Sequence, residues 1–172
     1  MYDIQKEKNL AFLLRHDDVY DLTPNGWREV SDLVEHHDFT QEELETIVAE
    51  SNKQRFEFSK NGLFVRALYG HSVEVDVGLE EVIPTGCLYH GTTVASVASI
   101  MEKGLLPRSR QCVHLSEDEE TAAEVGNRRK GDLAILRVDA PRMYGAGYRM
   151  WRANNGVWIT KMVPPEYISK HL

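Results

Sequence analysis

Apolar residues in the first third of the chain recur at helical spacing. Leu10, Leu13 and Leu14 share one stripe of a helix that ends at Arg15-His16. Those two cations stand where the helix dipole favours them, beside Asp17-Asp18. Pro24-Asn25-Gly26 reads as a turn and Trp27 to Val30 as a short extended piece. Ser31 opens a brief helix through Leu33 and Val34. Thr40 and Glu43 form a capping box for a helix carried on by Leu44, Ile47 and Val48. The period then shortens to two. Arg55 to Phe58 alternates, Asn61-Gly62 turns, and Leu63 to Leu68 runs back extended. With Leu63, Val65 and Ala67 facing a core, Arg66 faces outward. Tyr69-Gly-His-Ser72 leaves the hairpin as a tight polar segment. The acidic, valine-rich stretch 73–84 reads as a join between two lobes.

The second half is richer in strands. Leu88-Tyr89 reads as the end of a buried strand, followed by His90 and by Gly91, which permits close backbone approach to a ligand. Thr92 or Thr93 caps a helix with apolar positions Val94, Val97, Ala98 and Met101, and Gly104 stops it. Val113 to Leu115 is a short strand, and Ser116 with Glu119 forms a capping box for a helix ending near Gly126. Leu133 to Val138 is a buried strand and Met143 to Gly147 a glycine-containing loop. Tyr148 to Trp151, the turn Asn154-Asn155-Gly156 and Val157 to Thr160 make a second hairpin. Val163 to Ile168 closes the chain in extended form. The order of elements in the first half, three helices and a hairpin, is that of a winged helix. The second half is α+β rather than doubly wound. The two lobes are placed at residues 1–80 and 85–172.

Composition narrows the classes. At 172 residues, 42% of them apolar, the chain can hold one large domain or two small ones. No run approaches the ~18 apolar residues of a membrane span, and the N-terminus carries no apolar signal core. Two cysteines, Cys87 and Cys112, are too few for a disulfide framework or a cysteine zinc site, and point to a reducing cytoplasm. Residues 1–84 hold 8 Lys+Arg against 18 Asp+Glu, a net of −10. Residues 85–172 hold 12 against 9, a net of +3. Bulk charge therefore argues against tight non-specific nucleic-acid binding, and a polyanion must be held by a local arginine cluster.

His90 and His114 fall at predicted strand ends, each beside a helix N-terminus, a good place for a dinucleotide. On residue type alone, two core histidines fit equally well. His36-His37 read as solvated. Arg66, and the run Arg128-Arg129-Lys130, are by type solvated surface cations. There is no Gly-x-Gly-x-x-Gly after a strand, no P-loop, no His-Glu-x-x-His and no glycine-flanked nucleophilic serine.

Taken in order, several stretches resemble the NAD-dependent RNA 2′-phosphotransferases, which remove the splice-junction 2′-phosphate in tRNA splicing. They are Leu14-Arg15-His16, Arg55-Phe56, Val65-Arg66-Ala67 with Gly70-His71-Ser72, and Leu88-Tyr-His-Gly-Thr92. Arg110-Gln111, Val113-His-Leu-Ser116, Val125-Gly126-x-Arg128, Asn155-Gly-Val-Trp158 and Val163-Pro-Pro165 continue them. Tyr69 stands where the family usually has glutamine, and Asp17-Asp18 where a proline is common. The turn at Arg128 is one residue longer than usual, so Arg129 competes for the same role.

The resemblance implies an RNA-binding winged-helix lobe and an ADP-ribosyltransferase-like lobe, with the active site in a cleft they share. It implies a catalytic set of Arg15, His16, Arg66 and Arg128, and NAD⁺ on His90, Gly91, Thr92, Arg110, His114 and Ser116. His71 is expected on the RNA. The implied reaction transfers an internal RNA 2′-phosphate to NAD⁺. It yields 2′-hydroxyl RNA, ADP-ribose 1″,2″-cyclic phosphate and nicotinamide, with no metal, no membrane and no obligate protein partner, in the cytoplasm. Arginine forks suit this chemistry because they bind phosphate bidentately and stay charged. The alternative is an ADP-ribosyltransferase acting on another acceptor, such as a terminal nucleic-acid phosphate.

Overall fold

The computed structural model describes residues 2–23, 25–73, 77–153 and 155–171. The chain divides into two compact units, Met1–Gly78 and Leu79–Leu172.

The first unit is three helices and a three-stranded antiparallel sheet. Helix α1 spans Ile4–Arg15, and Asp3 caps it by accepting from the Gln5 and Lys6 amides. Strand β1 (Arg28–Glu29) runs directly into α2 (Val30–His36). Helix α3 (Gln41–Glu50) starts with the expected capping box, closed from both sides by Thr40 and Glu43. Strands β2 (Phe56–Phe58) and β3 (Phe64–Ala67) form the hairpin, and the sheet order is β1-β3-β2. Leu10, Leu13, Leu14, Leu33, Leu44, Ile47, Phe56 and Val65 make the core between helices and sheet.

Three expectations are corrected here. Leu63 precedes β3 and is 61% exposed; only Val65 and Ala67 point inward from that side. The extended piece at Trp27 is shorter than expected, because Val30 is already helical. His36 is exposed as expected, but His37 is half-buried, with its Nε2 2.8 Å from Arg28 Nη2. The Arg28 side chain is 2% exposed and held by Asp17, Asp32 and the Leu13 carbonyl, with the Tyr20 ring 4.0 Å from its guanidinium carbon. A buried cation is tolerable only with such a complete set of partners.

The second unit has two three-stranded antiparallel sheets. Its elements are β4 (Leu88–Thr93), α4 (Val94–Lys103), β5 (Val113–Leu115), α5 (Glu119–Gly126), β6 (Leu133–Val138) and α6 (Ala140–Gly145). Strands β7 (Met150–Arg152), β8 (Trp158–Thr160) and β9 (Ile168–Lys170) follow, the last after a 3₁₀ turn at Pro165–Tyr167. The sheet orders are β4-β6-β9 and β5-β8-β7, joined where the Tyr89 and Ser116 backbones exchange two hydrogen bonds. Leu88, Val97, Ile100, Leu115, Leu136, Val138, Met143 and Trp158 fill the core.

Several local readings change. Strand β4 continues through His90 to Thr93, because every residue of it pairs with β6. The inward stripe of α4 is Val97, Ile100 and the half-buried Met101, while Val94 is 56% exposed. Thr93 begins that helix, but its hydroxyl meets Ser96 Oγ rather than a backbone amide. Asp118, not Ser116, caps α5, since Ser116 is engaged by Tyr89. The stretch 143–147 is largely helical: Asp139 caps α6, proline occupies its first turn, and Met143 is fully buried. The close of the chain is a 3₁₀ turn before a strand, not one extended run. Asn154 of the expected turn lies outside the described residues. Among the described residues the fold is mixed α/β, with six helices and small antiparallel sheets. No helix there is long and apolar enough to cross a membrane.

Candidate active site

In the first unit the end of α1 and the segment leaving the hairpin are bonded together. The Arg15 carbonyl accepts from the Ser72 amide at 2.9 Å and from the Ser72 hydroxyl at 3.3 Å. His16 Nδ1 lies 2.8 Å from the same Ser72 Oγ. Because Ser72 gives its proton to a carbonyl, its oxygen accepts from His16, so Nδ1 carries hydrogen and Nε2 is the nitrogen that gains and loses a proton. Arg15 is 8% exposed, with its guanidinium carbon 5.1 Å from the Tyr69 ring centroid and 5.8 Å from that of Phe56. Tyr69, the departure from the usual glutamine, thus gives Arg15 an aromatic face. His71 is only 3% exposed.

Arg66 stands mid-strand on β3, opposite Glu57 of β2. Its Nε and Nη2 donate to Glu57 Oε1 at 2.7 and 2.6 Å, and its Nη1 donates to the Asn25 carbonyl at 3.2 Å. The Trp27 ring centroid is 4.4 Å from its guanidinium carbon. It is therefore a fixed, partly buried cation rather than a solvated one.

In the second unit His90 and His114 lie mid-strand, on β4 and β5, not at strand ends beside helix N-termini. His90 Nδ1 donates to the His114 carbonyl at 3.1 Å, which leaves Nε2 as an acceptor in the neutral ring. Burial pushes the His90 pKa below the usual imidazole range, and the charge of Arg129 adds to that, against the hydrogen bond to His114. Arg110 Nη1 is 3.4 Å from His114 Nδ1. Thr92 is fully buried, and its hydroxyl oxygen has no hydrogen-bond partner among the described residues.

Gly91 has a structural task as well: a Cβ there would clash with the Ala122 carbonyl oxygen, so the glycine admits α5 against β4. Arg128 and Arg129 follow α5 in a turn and are exposed, and the charge of Arg129 acts on His90. Among the described residues no group of three or more His, Cys, Asp and Glu side chains is placed to hold a metal ion.

The sequence-level set did not include Ser72, Glu57 or Trp27 as site residues. The signal for Glu57 was in the hairpin's alternation, which puts it opposite Arg66 once the Asn61-Gly62 turn sets the register.

The model of the RNA 2′-phosphotransferase, Tpt1 / KptA family matches residues 2–162. The chain belongs to the RNA 2′-phosphotransferase family. Curated relatives agree over nearly their full length. A probable RNA 2′-phosphotransferase of Nostoc punctiforme is 45% identical over 175 residues, covering 97% of this chain and 96% of the relative. The one from Acaryochloris marina is 42% identical, over 93% of this chain and 92% of its own. The one from Fusobacterium nucleatum is 37% identical, over 96% and 97%. Membership of the 2′-phosphotransferase family makes the chain a transferase, and the two histidine-arginine groups above are its candidate machinery.

Proposed function

We propose that this transferase removes an internal 2′-phosphate from RNA and passes it to NAD⁺, forming 2′-hydroxyl RNA, ADP-ribose 1″,2″-cyclic phosphate and nicotinamide. The observation that carries this is the Arg15–His16–Ser72 corner. Two segments 56 residues apart, each part of the family pattern, meet there through four hydrogen bonds, the fourth from the Val73 amide to the Arg15 carbonyl. In this reading the first unit is the winged-helix, RNA-side lobe and the second the ADP-ribosyltransferase-like lobe.

The second unit has groups that fit NAD⁺: the buried Thr92 hydroxyl, the His90 ring kept as an acceptor, and Arg110 for a diphosphate. His114 and Ser116 complete that set, and Gly91 contributes by letting α5 close on β4. When bound, NAD⁺ supplies an electron-poor ribose carbon with a good leaving group. The chain's own residues handle the phosphate. Arg15, Arg66 and Arg128 orient a dianion and balance its charge as it approaches a second diphosphate. His16, with Nδ1 fixed by Ser72, presents Nε2 to a phosphate oxygen or to the departing 2′-oxygen as proton donor. Buried Tyr69 and Phe56 hold Arg15 from behind, so its fork is set before RNA arrives. His71 is assigned to the RNA side.

The test is an RNA oligonucleotide carrying a radiolabelled internal 2′-phosphate. Label is expected to leave the RNA only when NAD⁺ is present, and at an unchanged rate in EDTA, since the site's cations are arginines. Loss of label without NAD⁺ would overturn the reading.

A further inference from the structure

We propose that Glu57 is a positioning residue for Arg66, setting the direction in which the guanidinium fork meets the RNA phosphate. The inference rests on the reading of Arg66 as a phosphate-binding residue. It begins from the register of the hairpin, which places Glu57 directly across from Arg66. Both bonds from Arg66 fall on one oxygen, Oε1, from Nε at 2.7 Å and from Nη2 at 2.6 Å. They occupy the side edge of the guanidinium. The Asn25 carbonyl takes one Nη1 hydrogen at 3.2 Å, and the Trp27 ring covers one face at 4.4 Å. A guanidinium has five N–H donors. Among the described residues three are in use, and one hydrogen on each Nη remains to meet phosphate oxygens.

The arrangement has a purpose beyond holding the hairpin. A long arginine side chain loses rotamer freedom when it binds a phosphate, and that cost reduces the binding free energy. Arg66 has already lost that freedom, with its side chain 15% exposed, before any substrate arrives. The carboxylate has a second, opposing effect. It is 36% exposed on the same surface, so it repels an incoming dianion. Orientation and repulsion are separable, because only one carboxylate oxygen is used and an amide oxygen can take the same two bonds.

The experiment is steady-state kinetics of the full chain on a 2′-phosphorylated RNA, with E57A, E57Q, R66A and E57A/R66A. E57A removes the acceptor, so kcat is expected to fall about tenfold while KM for RNA stays level or drops. E57Q keeps the acceptor and removes the repulsion, so it is expected to restore most of that kcat with a lower KM. In the R66A background E57A is expected to cause no further loss, since its effect runs through Arg66. If R66A is impaired but E57A has the wild-type kcat, the positioning role is wrong and the reading of Arg66 stands. If E57Q falls as far as E57A, the charge and not the geometry matters, and the proposal is overturned. If R66A itself turns over at the wild-type rate, the reading of Arg66 fails and takes this proposal with it.

Discussion

His16 and His90 are held by the same ring nitrogen and end with opposite properties. His16 is half-buried at a helix end and gives Nδ1–H to a serine hydroxyl, which can rotate and exchange partners. His90 sits inside a strand and gives Nδ1–H to a main-chain carbonyl, which cannot. Burial, with the Arg129 charge, holds the His90 pKa below the usual imidazole range. In the proposed reading the first histidine moves a proton and the second accepts a hydrogen bond. The difference lies in the surroundings, not in the residue: a hydroxyl and a helix end in one unit, a carbonyl and enclosing strands in the other. The charges of the two halves differ in the same sense, −10 against +3. In the proposed reading the acidic half holds RNA through a few fixed arginines, since its bulk charge opposes a polyanion.

The contrast can be broken at either histidine. The largest effect is expected from His16→Ala, which removes the proton-handling nitrogen. Turnover should fall by about 10²- to 10⁴-fold, with NAD⁺ binding by calorimetry unchanged. Equal loss of NAD⁺ affinity would erase the distinction between the two histidines. Next is Arg66→Lys, which keeps charge and loses the fork. Formation of 2′-hydroxyl RNA should slow by roughly 100- to 1,000-fold, and nicotinamide release should run ahead of it in a quenched time course. If both products slow together, the arginine limits the earlier event. The same comparison of Arg128→Lys with Arg129→Lys decides which of those two arginines meets the phosphate.

A smaller effect is expected from Ser72→Ala. It leaves His16 Nδ1 without its acceptor, a loss of about 1 kcal/mol, or roughly fivefold in turnover. A rate unchanged within error would show that Ser72 does not orient the ring. The smallest effect concerns stability. A depressed histidine pKa means that the folded state binds fewer protons than the unfolded chain. The contribution of His90 is then present above about pH 6.5, the ordinary imidazole value, and is lost as pH falls through the lower folded value. Urea melts between pH 7.5 and 5 should show less of this decline in His90→Asn. An identical decline would mean that His90 is not held neutral.

Much of this was legible in the chain. The Leu10-Leu13-Leu14 stripe, the Thr40–Glu43 capping box and the Asn61-Gly62 hairpin follow from local rules and appear as expected. What could not be read depends on partners distant in sequence. Nothing near His90 says that its strand continues to Thr93, because β6, some 40 residues on, does the pairing. Ser116 looks like a cap until Tyr89 claims its backbone, whereupon Asp118 takes the task. Nothing near Gly91 says that α5 packs against its Cα side, because that helix lies some 30 residues on. Arg66 reads as solvated until the hairpin register sets Glu57 against it. The loop expected at 143–147 failed for a local reason that was open to view. Asp139 and Pro141 are good start signals for a helix, and its glycines drew the reading away from them.

The most direct measurement is the ratio of nicotinamide released to 2′-hydroxyl RNA formed, taken from one reaction of the full chain with NAD⁺ and an RNA bearing an internal 2′-phosphate. The account predicts one of each per turnover, with all of the phosphate recovered on ADP-ribose. Nicotinamide release with the 2′-phosphate still on the RNA would contradict it.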